Sequence, residues 1–126
     1  AAVGNGGYDV THALLAYWWL SSAGCDIDLS REDVALILRH HLAIVKDQPV
    51  GDLHNEAMLM LAGIGREDLI PRDRLMDMLD GQKGDGGWPL GQMTSGSNAH
   101  ATGIAVLFLT FLLEFDQIQP SFVVRR

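Results

Sequence analysis

The sequence predicts an all-α fold: antiparallel helical hairpins in two layers, about five helices in all. Three observations predict it. First, His12, His54 and His100 each stand at the head of an apolar run, 42 and then 46 residues apart, the period of a helix and its return helix. Second, segments that are apolar on all sides alternate with segments that are apolar on one stripe, as expected of inner and outer helices. Third, five helical segments can be read along the chain and no strand.

Taken in order, the first helix is expected from about Asp9 to Ala23, with Asp9 as N-cap and Gly24 as the stop. Tyr17-Trp18-Trp19 make it apolar on most sides. The second runs from about Arg31 to Lys46, where Ser30 and Asp33 have the spacing of a capping box. Val34, Ile37, Leu38, His41, Leu42 and Val45 form its buried stripe, so of the pair His40-His41 one side chain faces the core and the other solvent. A third helix is expected from about Leu53 to Ala62, with Asp52 as N-cap and Gly63 and Gly65 ending it. Its run Met58-Leu59-Met60-Leu61 requires burial all round. The fourth, amphipathic again, starts at Pro71 and ends by Gly81. A Gly-rich loop of about 15 residues follows, long for a compact helical domain and of the kind that is either functional or disordered. The fifth helix is expected from about Ala99 to Phe115, capped by Ser97 or Asn98.

Composition narrows the function. The chain has 126 residues, enough for one domain with a real core, and 48% are hydrophobic, which excludes a disordered chain. A formal charge of −7 disfavours nucleic acid as a partner. Cys25 is the only cysteine, so there is neither an intrachain disulfide nor a Cys-rich zinc site. The longest apolar stretch, Gly103 to Leu113, is far short of the roughly 20 residues of a membrane span. Residues 1–7 lack the charged start and apolar stretch of a signal peptide and read as a flexible leader or tag. The domain is expected over 8–119, with a tail over 120–126. Secreted and cytoplasmic locations both remain open.

The segment Gln82-Lys83-Gly84-Asp85-Gly86-Gly87-Trp88, between an outer and an inner helix, resembles the Gln-x-x-x-Gly-x-Trp turn of terpenoid cyclases in the α/α-toroid superfamily. That resemblance implies that Trp88 covers the turn, with Gln82 bonding backbone groups beneath it. It also implies a partial α/α toroid, because about five helices are under half of a closed ring. A homo- or hetero-oligomer completing the toroid is then the expected partner. The chain departs from the enzymes of that superfamily. It has no Asp-x-Asp-Asp or Asp-Asp-x-x-Asp motif, and no match to the Asp/Cys/His zinc trio of the prenyltransferases. A second stretch of the chain, Tyr8-Asp9-Val10-Thr11-His12 to Gly24-Cys25 and Asp85-Gly86-Gly87 to His100-Ala101-Thr102-Gly103-Ile104-Ala105, is similar to an uncharacterised secreted family of animal helical proteins. Trp88 stands where that family would place another cysteine.

A repeat places equivalent residues at equivalent heights, so His12, His54 and His100 are expected at one rim. Three imidazoles with an open position suit a divalent transition metal, with Asp9, Asp52 and Glu56 as further partners. The plain alternative is that each histidine bonds a loop carbonyl at the first turn of a buried helix. Glu56, beside His54, is the candidate general acid or base; His54 and Glu56 together are the candidate catalytic pair. Its plain alternative is a favourable charge at a helix N-terminus. His12, His100, Asn98, Trp18 and Trp88 are the candidate contacts for a small-molecule ligand in a partly apolar cavity. Three functions are open from this, the first two being a ligand-presenting subunit of a larger assembly, or a stand-alone His/Glu-dependent hydrolase, lyase or isomerase. A purely structural interaction module is the third.

Overall fold

A computed structural model of the protein describes residues 7–118. It contains α1 (Tyr8–Ser22), α2 (Arg31–Asp47), α3 (Asp52–Gly63), a short 3-10 turn (Glu67–Leu69), α4 (Arg72–Asp80) and α5 (Ala99–Ile118). Among the described residues there is no strand, only one isolated antiparallel bridge between Pro89 and Ser97. The fold is all-α. Of the leader expected over 1–7, all but Gly7 lies outside the described residues, as does the tail expected over 120–126.

α3 is the central helix, packed against α1, α2, α5 and the 3-10 turn. Its Met58-Leu59-Met60-Leu61 run is buried on every side, as a helix apolar all round demands. Leu14 of α1, Met78 of α4, Trp88 and Phe108 of α5 close the core around it.

The inner helices α1, α3 and α5 run parallel. At one end Tyr8 and Thr11 hydrogen-bond Asp52 and Glu56, and His100 bonds Asp52. At the other end the Trp18 ring lies over Gly63, where a Cβ would come within 2.5 Å of it. The same ring packs edge-on against Phe111 at 5.6 Å. Early residues meet early residues and late meet late, so α2 and α4 are the return helices.

α2 opens with the complete capping box: Asp33 N donates to Ser30 Oγ at 3.1 Å and Ser30 N to Asp33 Oδ2 at 3.0 Å. Its inward stripe ends in His41, Ile44 and Val45, all buried, while His40 is half-buried. His41 Nε2 donates to the Ala57 carbonyl at 2.6 Å, tying α2 to α3. Arg74 clasps α4 to the end of α2, donating to the Val45 carbonyl at 2.8 Å and to the carbonyl of Gln48. Those are carbonyls that a helix C-terminus leaves without an intrahelical partner.

The long loop between α4 and α5 is tightly folded. Trp88 is buried and its indole N–H donates to the Met78 carbonyl at 2.8 Å. Gln82 Nε2 donates to the Gly86 carbonyl at 2.8 Å, beneath the turn. Gly86 has φ +87°, a conformation an L side chain rarely adopts. Asp85 accepts from Gly87 N and from Ser97 Oγ, closing the loop on itself.

Three helix starts differ from expectation. α1 is preceded by Gly7 rather than Asp9, and Gly7 O accepts from Val10 N and Thr11 N. Asp9 therefore falls in the first turn, where an acid still favours the helix dipole. α4 begins at Arg72 with Pro71 just outside it. The third difference, at Asp52, bears on function.

Candidate functional site

Parallel inner helices bring three N-terminal turns to one rim. α1 contributes Tyr8, Thr11 and His12; α3 contributes Asp52 and Glu56; α5 contributes His100. Asp52 is the first residue of α3 and not its cap. Its backbone N–H is taken by the Leu90 carbonyl at 2.8 Å, delivered by the long loop. Its carboxylate lies at the rim, where Tyr8 and His100 donate to it. The approach needs a glycine beforehand, because a Cβ on Gly51 would stand 2.7 Å from the Leu90 oxygen.

Asp52 and Glu56 are one turn apart and only 5% and 4% exposed. Two neighbouring buried carboxylates repel, so their surroundings must compensate. The Tyr8 hydroxyl donates to Asp52 Oδ2 at 2.9 Å, and His100 Nδ1 donates to Asp52 Oδ1 at 2.6 Å. The Thr11 hydroxyl donates to Glu56 Oε1 at 2.5 Å. His12 Nε2 stands 3.4 Å from the same oxygen, within ion-pair reach when protonated. The N-terminal end of the α3 dipole adds positive potential. Burial, and then the Asp52 carboxylate, push the Tyr8 phenol up to about 12, so it remains a donor at neutral pH. The hydrogen bond to Asp52 raises the pKa of His100. The two imidazoles are 63% and 62% exposed at the side-chain level, so the cluster has a buried acidic floor and an accessible imidazole edge.

One ligand atom each from Asp52, Glu56 and His100 lie within 4.8 Å of one another, close enough to hold one metal ion. This differs from the expected trio of His12, His54 and His100. At about 100° per residue, His54 is roughly 200° around α3 from Asp52 and from Glu56. It is fully buried on the opposite face, and neither ring nitrogen has a hydrogen-bond partner among the described residues. Burial first, and then the positive charge of Arg74, lower its pKa to about 4. His54 and Glu56 therefore do not face one another.

The other candidate ligand contacts are placed as follows. Asn98 precedes α5 and its Oδ1 accepts from Ala101 N at 3.0 Å, the work of an N-cap. Trp88 is in the core with its N–H occupied. Trp18 is half-buried at the far end of the inner layer, beside a cavity of about 290 Å³. Larger cavities lie at the α1–α2 turn (about 400 Å³) and between the 3-10 turn, α4 and α5 (about 590 Å³). None of these three cavities is lined by the rim cluster.

Tyr8 and Thr11 were not among the sequence candidates, and Asp52 entered only as a partner. A usable signal was present. Asp52 and Glu56 stand at i and i+4 at the start of an apolar helix, and Tyr8, Thr11 and His12 at i, i+3 and i+4 at the start of another. Among the described residues no helix is long and apolar enough to cross a membrane. Compared with known proteins, the chain matches no family model, no curated protein and no solved structure.

Proposed function

We propose that the chain is a partial α/α-toroid arc whose rim binds a divalent transition-metal ion and, through it, a small polar ligand. The observation that carries this reading is the pair of buried carboxylates, Asp52 and Glu56, with the His100 imidazole within 4.8 Å. A dication would neutralise two acids that otherwise repel in a poorly solvated place. Two carboxylate oxygens with one or two imidazoles suit Mn, Fe, Co or Zn. His12, poised 3.4 Å from Glu56, is the candidate fourth donor. When bound, such an ion would polarise a ligand oxygen or activate a water molecule. The residues of the chain would hold it, orient it and leave the imidazole edge open for the ligand.

The arc reading rests on the parallel inner helices, the returning outer ones and the Gln82/Trp88 turn. Apolar side chains are exposed at both ends of the inner layer, Trp19 and Leu20 on α1 and Val106, Leu107 and Leu113 on α5. Partner chains would cover them.

A second reading is favoured by one contact. The 2.6 Å bond from His100 Nδ1 to Asp52 fixes the imidazole tautomer and leaves the other ring nitrogen for a substrate. That is the arrangement of a metal-free general base in a hydrolase, lyase or isomerase.

Calorimetric titration of Zn2+ or Co2+ into the purified chain tests the first reading. One ion per chain is expected, with binding lost in Asp52→Asn and Glu56→Gln. A wild-type chain that binds neither ion would leave the metal-free reading in its place.

A further inference from the structure

We infer that the chain carries a second binding site, independent of the rim: the cavity between the 3-10 turn, α4 and α5, which takes a small organic cation, an amine with an apolar body. The cavity holds about 590 Å³, within the roughly 300–1,000 Å³ of small-molecule sites. Its walls are mostly apolar. Phe108 is fully buried, Ile70, Leu75 and Leu112 are half-buried, and Met76 is exposed. The unbranched Met76 side chain can adapt its shape to what lies against it.

Glu67 sets this cavity apart. It lines the cavity and is only 4% exposed. The cavities at the α1–α2 turn and beside Trp18 have no buried charged residue in their lining. The charges next to Glu67 in sequence face water. Arg66 gives its guanidinium to Asp68, Nε to Oδ1 at 3.0 Å and Nη2 to Oδ2 at 3.2 Å, and both side chains are 45% exposed. That pair is neutral as a whole. Arg72 also lines the cavity but is exposed, so water screens its charge. The lining therefore presents one buried charge, and that charge is negative. A carboxylate offers about four acceptor sites, so Glu67 can hold a donor of the chain and still accept from a ligand. An ammonium placed there forms a charge-assisted hydrogen bond where little water competes for it. A neutral ligand of the same shape gains no such bond, and an anion is repelled. The apolar walls take the rest of the ligand, and each methylene they cover should tighten binding about fourfold.

The test titrates n-hexylamine, n-octylamine, 1-octanol and octanoate into the whole chain by calorimetry, with thermal melts alongside. One n-octylamine per chain is expected to bind and to raise the melting temperature, as a ligand of the folded state does. It should bind about 10-fold or more tightly than 1-octanol, the size of a hydrogen bond to a charged group, with octanoate weakest. n-Hexylamine, two methylenes shorter, should bind about 15-fold more weakly than n-octylamine. Glu67→Gln should abolish the preference for the amine while leaving 1-octanol binding as it was, which also shows that the variant is folded. Leu112→Trp, which fills the cavity, should weaken both ligands. Should one variant fail to fold, the other decides. Equal affinities of wild type for n-octylamine and 1-octanol, or no binding of n-octylamine, overturn the inference. So does an amine preference that survives Glu67→Gln, because the amine then sits on another acid, such as those of the rim. None of these outcomes depends on whether the rim binds a metal.

Discussion

Trp88 does two jobs with one side chain. Its ring is part of the buried core, and its N–H donates to a carbonyl near the end of α4. Trp88→Ala should therefore cost about 3–5 kcal/mol in urea unfolding, the range for deleting a large buried aromatic. Trp88→Phe should lose less, about 1 kcal/mol for the missing hydrogen bond plus some loss of packing. Because the same loop delivers the Leu90 carbonyl to Asp52, Trp88→Ala should also weaken binding at the rim. A change within about 0.5 kcal/mol, as for a surface residue, would contradict the staple role. His41 gives a pH dependence. It is fully buried, and burial lowers its pKa from the ordinary 6.5. The unfolded chain thus takes up this proton at a higher pH than the folded one. The contribution is absent above about 6.5 and becomes a growing penalty as pH falls below that, levelling off under the folded value. His41→Gln keeps a donor for Ala57 without a titrating ring. Melts at pH 8, 6 and 5 should show a shallower loss of stability in His41→Gln; parallel curves would refute the assignment.

At the level of elements, the Ser30 and Asp33 capping box is the cleanest agreement between sequence and structure. Ser30→Ala should lower stability by about 1 kcal/mol in thermal melts, and no measurable loss would mean that α2 is held by packing alone. Helix identity and the burial of α3 were legible because both follow from local pattern, whereas α1 and α5, read as apolar on most sides, leave Trp19, Leu20, Val106, Leu107 and Leu113 exposed. Met58-Leu59-Met60-Leu61 could hardly lie anywhere but in the centre. The role of Asp52 was not legible. An acid before an apolar run reads as a cap, and nothing near it shows that Asp52 is already inside the helix with its own N–H bonded to the carbonyl of Leu90, 38 residues later. The histidine spacing brought His12 and His100 to one rim, where they stand beside Glu56 and Asp52. It also drew in His54, although counting around α3 puts His54 on the face opposite Asp52 and Glu56. Tyr8 and Thr11 were passed over, although they share a face with His12, because a hydroxyl in a first turn usually serves its own helix.

For the whole molecule, parallel inner helices have a consequence that no single helix shows: three N-terminal turns share one rim, and residues from three distant parts of the chain converge there. The same layering leaves apolar ends on α1 and α5. Sedimentation should therefore find species heavier than the 13.8 kDa chain, and a stable monomer would count against the arc. The most direct test of the central claim is an anomalous difference map from crystals grown with Zn2+ and measured at the zinc edge. The predicted result is one strong peak about 2.0–2.2 Å from carboxylate oxygens of Asp52 and Glu56 and from an imidazole nitrogen of His100. A map with no peak at the rim, or with its peak beside His54, would contradict it.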